Sequence, residues 1–334
     1  MLELISFIIL FFLGVLVIML EKHLLLKYVY LPALFLFMFI VRLNGFYLGG
    51  YQKDILTYAI EMHEVSYHFY YLREFIGWFS LKFIYMLVQS EFYTFIVLDF
   101  IWIYYLYKCF KFISVEKLGK GCVVVLATSF PFFFGYENIY RQFYASIILL
   151  YAYSLIHIKS FKAIRLFIIS FFIHNVVLFL LPIFIVKKCF SFNLKDRIIL
   201  ALLVSVCFVF ALPFITNLKD ADPTKVDMSF LYLILFIGLF AYLIMKYKKN
   251  IYNVFYRAPS LFFFVILMIG YVFFQQEMIA ERLGMMFVIF LIYDLYNYSL
   301  EIKNRLIRVG LRLTLLIVFS VPVLLFKSAM RFMF

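Results

Sequence analysis

Residues 136–182 read YENIYRQFYASIILLYAYSLIHIKSFKAIRLFIISFFIHNVVLFLLP. A polar knot, Glu137-Asn138-Ile139-Tyr140-Arg141-Gln142, leads into two apolar runs, and His174-Asn175 is stranded inside the second. Each run is long enough, as a helix, to enter or cross a hydrocarbon layer about 30 Å thick. Charged and imidazole groups inside so apolar a stretch are expensive to desolvate, so by default they mark a working site.

The rest of the chain is of the same kind. Of 334 residues, 67% are hydrophobic and only 15% charged, a composition that would leave far too much apolar surface exposed in water. Apolar runs recur at about 4–20, 25–41, 92–110, 121–135, 141–158, 163–186, 197–215, 229–246, 258–276, 283–299 and 310–327. Open strands cannot persist in lipid, and barrel-type alternation is lacking. The reading is therefore an all-α polytopic membrane protein, residues 1–334 forming one integral-membrane domain. The first run lacks a basic leader and a small-residue cleavage site, so it is read as a helix and not a signal peptide.

A net charge of +13 raises the question of nucleic acid, but the distribution of the charge answers it. Basic residues cluster between apolar runs, as at Lys108/Lys111/Lys117/Lys120, Lys159/Lys162/Arg165, Lys187/Lys188/Lys195/Arg197 and Lys303/Arg305/Arg308/Arg312. That is the positive-inside pattern, which places these loops in the cytoplasm and leaves no role for nucleic acid. Strict alternation fails at 163–186, whose flanks are both basic. A re-entrant hairpin bending near His174-Asn175 would repair it, and a single tilted span is the alternative. The run 72–90 holds Lys82 and is read as a juxtamembrane or half-inserted helix, with Trp78 and Tyr85 suited to the interface. The expected total is about ten crossings, an outer segment 42–91 with juxtamembrane helices, one possible hairpin, and both termini outside.

Acids and selected arginines gather on the outer side. Asp54, Tyr58 and Glu61 share one side of a helix by i, i+4, i+7 spacing, with Ile55, Leu56, Ala59 and Met62 opposite. Arg42, Arg141 and Arg282 are the outer arginines. Asn138 is the expected N-cap of the helix carrying Arg141, so that backbone N–H groups and a guanidinium point at one spot suited to phosphate. Glu137, one turn earlier, is either a catalytic acid or the ion partner of Arg141. Arg282, preceded by Glu277 and Glu281, repeats the arrangement. Asp99 is placed to neutralise Lys82 or Arg141, and Asp294 to snorkel with Tyr293 and Asn297. His174 is either a base or a buried histidine bonded to Asn175. There is no P-loop, GxGxxG after a strand, HExxH or CxxC, and so no metal or cofactor is expected.

Asp54-x3-Tyr58, Glu74 before an apolar run, Asn138-x2-Arg141-Gln142-x2-Ala145, Phe172-Ile173-His174 and the late Arg282 together resemble the EpsG-like branch of the Wzy polysaccharide polymerases. The likeness covers about residues 40–300, with Asn175 where a serine is usual and Met286 where an aromatic is common. It implies an enzyme of the bacterial inner membrane, with GT-C-like architecture and a site facing the periplasm. Such an enzyme moves a growing O-antigen, capsule or exopolysaccharide glycan from undecaprenyl diphosphate to the non-reducing end of another lipid-linked repeat unit. A chain-length regulator is a possible partner. His174, Asp54 and Glu137 are then the catalytic candidates, and Arg141, Arg282, Asn138, Gln142, Tyr58 and Glu281 the substrate-binding ones. An O-antigen ligase, another lipid-dependent glycosyltransferase and a flippase for lipid-linked oligosaccharides are the alternatives.

Overall fold

A computed structural model describes residues 2–47, 53–109, 121–137, 139–156, 159–188, 192–216, 228–246, 251–261, 266 and 277–325. Among them every regular element is a helix. They fall into two compact units, Met1–Asn175 with Tyr296–Phe334, and Val176–Leu295.

The first unit opens with α1 (Leu2–Leu20) and α2 (His23–Tyr47), joined by a turn in which Glu21 takes a left-handed φ of 51°. Next come α3 (Lys53–Glu64), the single turn α4 (Phe69–Leu72), α5 (Phe75–Val88) and α6 (Glu91–Cys109). The run expected at 121–135 is two pieces, α7 (Cys122–Ala127) and α8 (Phe130–Glu137). Pro131 explains the break, because its ring would clash with the carbonyl one turn back. The Thr128 and Ser129 hydroxyls bind the carbonyls of Val124 and Leu126 at 3.0 and 2.7 Å there, and Ser320 donates to Thr128 at 2.8 Å.

Helix α9 (Tyr140–Leu155) is the axis of this unit: every residue but Tyr144 and Ser154 is buried. Beyond its polar start at Arg141-Gln142 its sequence is mostly apolar on every side, as suits a helix enclosed by others. It packs against α6, α8 and α10 (Ser160–Ile173). Helix α10 stops at His174, whose backbone is extended (φ −155°, ψ 122°), and a 3-10 segment, Asn175–Leu180, follows. The break expected near His174-Asn175 is therefore present, after a helix only about 21 Å long.

The second unit holds α11 (Leu181–Lys188), α12 (Leu194–Thr216), α13 (Met228–Lys246), α14 (Ile251–Arg257) and most of α15 (Glu277–Leu300). Ile185 and Val186 pack on Ile198 and Ala201, while Val254, Ala258 and Leu261 form a second cluster with Phe240. Asp294 does not snorkel as expected. It is buried, and Ser260 donates to its carboxylate at 3.2 Å. The last residues of α15, with α16 (Arg305–Leu325), belong to the first unit, where α16 packs on α1, α7 and α8.

Five helices among the described residues are long and apolar enough to cross a membrane: α1, α2, α6, Arg282–Leu300 of α15, and α16. The sequence leads one to expect about ten. One of the missing crossings, the run 121–135, is broken into two shorter helices at Thr128-Ser129, and a break halves the distance a segment covers.

Candidate functional site

The amphipathic reading of α3 holds for Ile55, Ala59 and Met62, which are buried against α5, but Leu56 is exposed. Helix α5 lies so close to the end of α10 that a Cβ on Gly77 would sit 2.5 Å from the Ile173 carbonyl oxygen. Glycine at this position allows the approach. The close approach brings Glu74, at the start of α5, against the His174 corner.

Glu74 occupies the N-cap position of α5 and is buried. One oxygen accepts from Arg141 Nη1 at 2.6 Å, and the other from the Asn175 backbone N–H at 3.2 Å. That second oxygen is also 3.6 Å from His174 Nδ1. Burial acts to raise the Glu74 pKa, but His174, Arg141, the Asn175 amide and Arg73 outweigh it and hold the carboxyl below its ordinary 4.5. The Arg141 guanidinium stacks over the Trp78 ring at 3.7 Å and lies 5.0 Å from the Tyr58 ring. Tyr58 and Trp78 meet edge to face at 5.8 Å. Arg141 Nε and the Trp78 indole N–H are both buried and make no hydrogen bond among the described residues. Two buried donors therefore stay unspent beside an ion pair.

Of the residues expected in a site, Arg141, Tyr58 and His174 come together here, and buried Gln142 follows Arg141 on α9. Asp54 lies one turn before Tyr58 on α3, and Glu137 ends α8, but their side chains are outside the described residues, as is all of Asn138. The N-cap position of α9 is Ile139 and not Asn138, and it carries no side-chain cap. Arg282 and Glu281 are on α15 in the second unit, Arg282 half-buried and Glu281 with its side chain outside the described set.

Two residues outside the expected set belong to this cluster. Glu74 is the partner of Arg141, and Trp78, expected at the interface, is wholly buried beneath it. An acid directly before an apolar helix, with an aromatic four residues on and hence on the same face, was the available signal. Arg42 is likewise not at the outer surface. Its Nε and Nη2 donate to the Asp99 carboxylate at 3.0 and 3.3 Å, and Trp102, Tyr136 and Tyr140 donate to the same group. Asp99 therefore neutralises Arg42 and not Lys82 or Arg141. The ammonium of Lys82 binds the Val65 carbonyl instead, fixing α5 to the end of α3. This second network is closed off from water, with Arg42 Nη1 alone of its guanidinium nitrogens making no hydrogen bond among the described residues, and it has the character of a structural clamp joining α2 to α6.

Helices of this length and apolarity, with ion pairs closed inside the bundle, define an all-helical integral membrane protein. Among the described residues no group of three His, Cys, Asp or Glu side chains is placed to hold a metal ion. No protein-family model, curated protein or solved structure matches this chain.

Proposed function

We propose that this chain is a membrane glycosyltransferase that lengthens a glycan carried on undecaprenyl diphosphate, in the manner of the polymerases its motifs resemble. One observation carries the reading: Glu74, Arg141 and His174 meet beside Tyr58 and Trp78 from four separate helices. In the reaction, a hydroxyl oxygen at the non-reducing end of the acceptor attacks the anomeric carbon of the donor glycan. The bond from that carbon to the diphosphate breaks, and its electron pair leaves with the diphosphate. Growing negative charge there calls for fixed donors, and Arg141, with its Nε still available, is the group suited to meet it. The hydroxyl proton goes to a base. His174 suits that role because the Glu74 carboxylate beside it stabilises the imidazolium formed, as the third member of a relay does. Asp54, one turn from Tyr58, is the other candidate.

The reading includes an outward-facing site, about ten crossings, a GT-C-like arrangement and a hairpin at 163–186, each following from the charge pattern or the resemblance. The test is to give the purified, reconstituted full-length protein one lipid-diphosphate-linked repeat unit. A ladder of longer glycans with release of the lipid diphosphate is the expected result. Transfer to a lipid A core alone would make it a ligase, movement across the bilayer without new bonds a flippase, and neither the polymerase reading.

A further inference from the structure

At the outset of α10, away from the Glu74 cluster, a cavity of about 690 Å³ is lined by Lys159, Lys162 and Arg165 together with Phe161, Leu166 and Ile169. The volume suits a small polar group with the beginning of a chain attached. No acid is among the described residues that line it. Charge and polarity are graded along the helix: Lys162 is followed four residues on by Leu166, and Arg165 by Ile169, so each cation sits one turn above an apolar wall. Lys162 is held in place, its ammonium donating to the Tyr151 hydroxyl at 3.3 Å. From the cavity edge the same helix turns Phe161, Ile164 and Ile168 outward, 78, 58 and 48% exposed, an apolar stripe of the kind a bilayer covers.

We propose that this cavity binds the headgroup of an anionic glycerophospholipid, the phosphate between Lys162 and Arg165 and the first part of an acyl chain over Leu166 and Ile169. Charge complementarity selects the occupant. Cations beside hydrocarbon attract anionic lipid over zwitterionic lipid, whereas a soluble phosphate would gain nothing from the apolar turn below them. This site is separate from the glycosyl-transfer reading and stands without it.

The test uses the full chain in nanodiscs of equimolar phosphatidylglycerol and phosphatidylcholine, with retained lipid identified by native mass spectrometry. The wild type is expected to keep phosphatidylglycerol in preference to phosphatidylcholine. Lys159→Gln/Lys162→Gln/Arg165→Gln should lower that preference on the order of tenfold. The charge-matched control Lys22→Gln/Lys195→Gln/Lys303→Gln, with the changes away from the cavity, should leave it in place. Restoring charge with arginine at 159 and 162 should return it, which separates lost binding from lost folding. Equal retention of both lipids by the wild type would overturn the proposal, and so would an equal loss in the control. Displacement of the lipid by sn-glycerol 3-phosphate at fixed ionic strength, at concentrations well below that of the lipid, would assign the cavity to a soluble anion and overturn it as well.

Discussion

Replacing Glu74 by glutamine keeps the shape of the side chain and an acceptor for the Asn175 N–H, but removes the charge facing Arg141 and His174. The side chains of Arg141 and Glu74 are only 10 and 3% exposed, so water cannot take over from the lost carboxylate. Stripping one partner from a pair so buried costs about 3–5 kcal/mol, and the remaining stacking on Trp78 and Tyr58 places the expected value near the low end, about 3 kcal/mol. Removing both charges, as in Glu74→Gln/Arg141→Leu, eliminates the stranded cation. The double variant should therefore be more stable than the two single losses added together, with a coupling of roughly 2 kcal/mol. Unfolding by sodium dodecyl sulfate in mixed micelles, followed by tryptophan fluorescence, reads this well, because both tryptophans, Trp78 and Trp102, are wholly buried. A double variant whose destabilisation equals the sum of the singles within about 0.5 kcal/mol would refute the pairing.

The same carboxylate sets an acid limit. Its folded pKa lies below 4.5, so its stabilisation is whole above that pH and is lost as pH falls through the folded value. The wild type should weaken more steeply along that limb than Glu74→Gln, which keeps the chain's other carboxylates; parallel curves would count against it. Gly77→Ala pushes a methyl to 2.5 Å from the Ile173 carbonyl, which is backbone and cannot rotate away. A loss of about 1–3 kcal/mol is expected, with faster hydrogen exchange at the Asn175 amide, and a change under about 0.5 kcal/mol would contradict the close approach. Asp99→Asn leaves Arg42 charged and fully buried, so the yield of monodisperse protein should collapse, by about 3–5 kcal/mol of lost stability; wild-type yield would disprove the clamp. Arg141→Lys keeps the charge opposite Glu74 but not the planar fork, and should lower chain lengthening about 10²-fold while stability changes by about 1 kcal/mol; an unchanged initial rate would remove Arg141 from the site.

Composition and the length of the apolar runs were enough to give the class, because hydropathy is a property of each segment by itself. The interruption at His174 was legible in part, since basic residues on both flanks of 163–186 pointed to a bend there, with a single tilted span as the alternative. So was the buried side of α3 at Ile55, Ala59 and Met62, since a period of 3.6 needs no knowledge of what lies opposite. Burial also demands a partner for every charge, and that much can be read from any one arginine in the chain. Which partner it takes cannot. Arg141 pairs with Glu74, 67 positions away, whereas the nearest acid before it in sequence, Glu137, has its side chain outside the described residues. Arg42 finds Asp99 across 57 positions in the same way. The linear order supplied the demand for neutralisation, and the packing of α5 and α9 against α10 supplied its answer, because the energy of an ion pair depends on distance through space and on the water excluded around it.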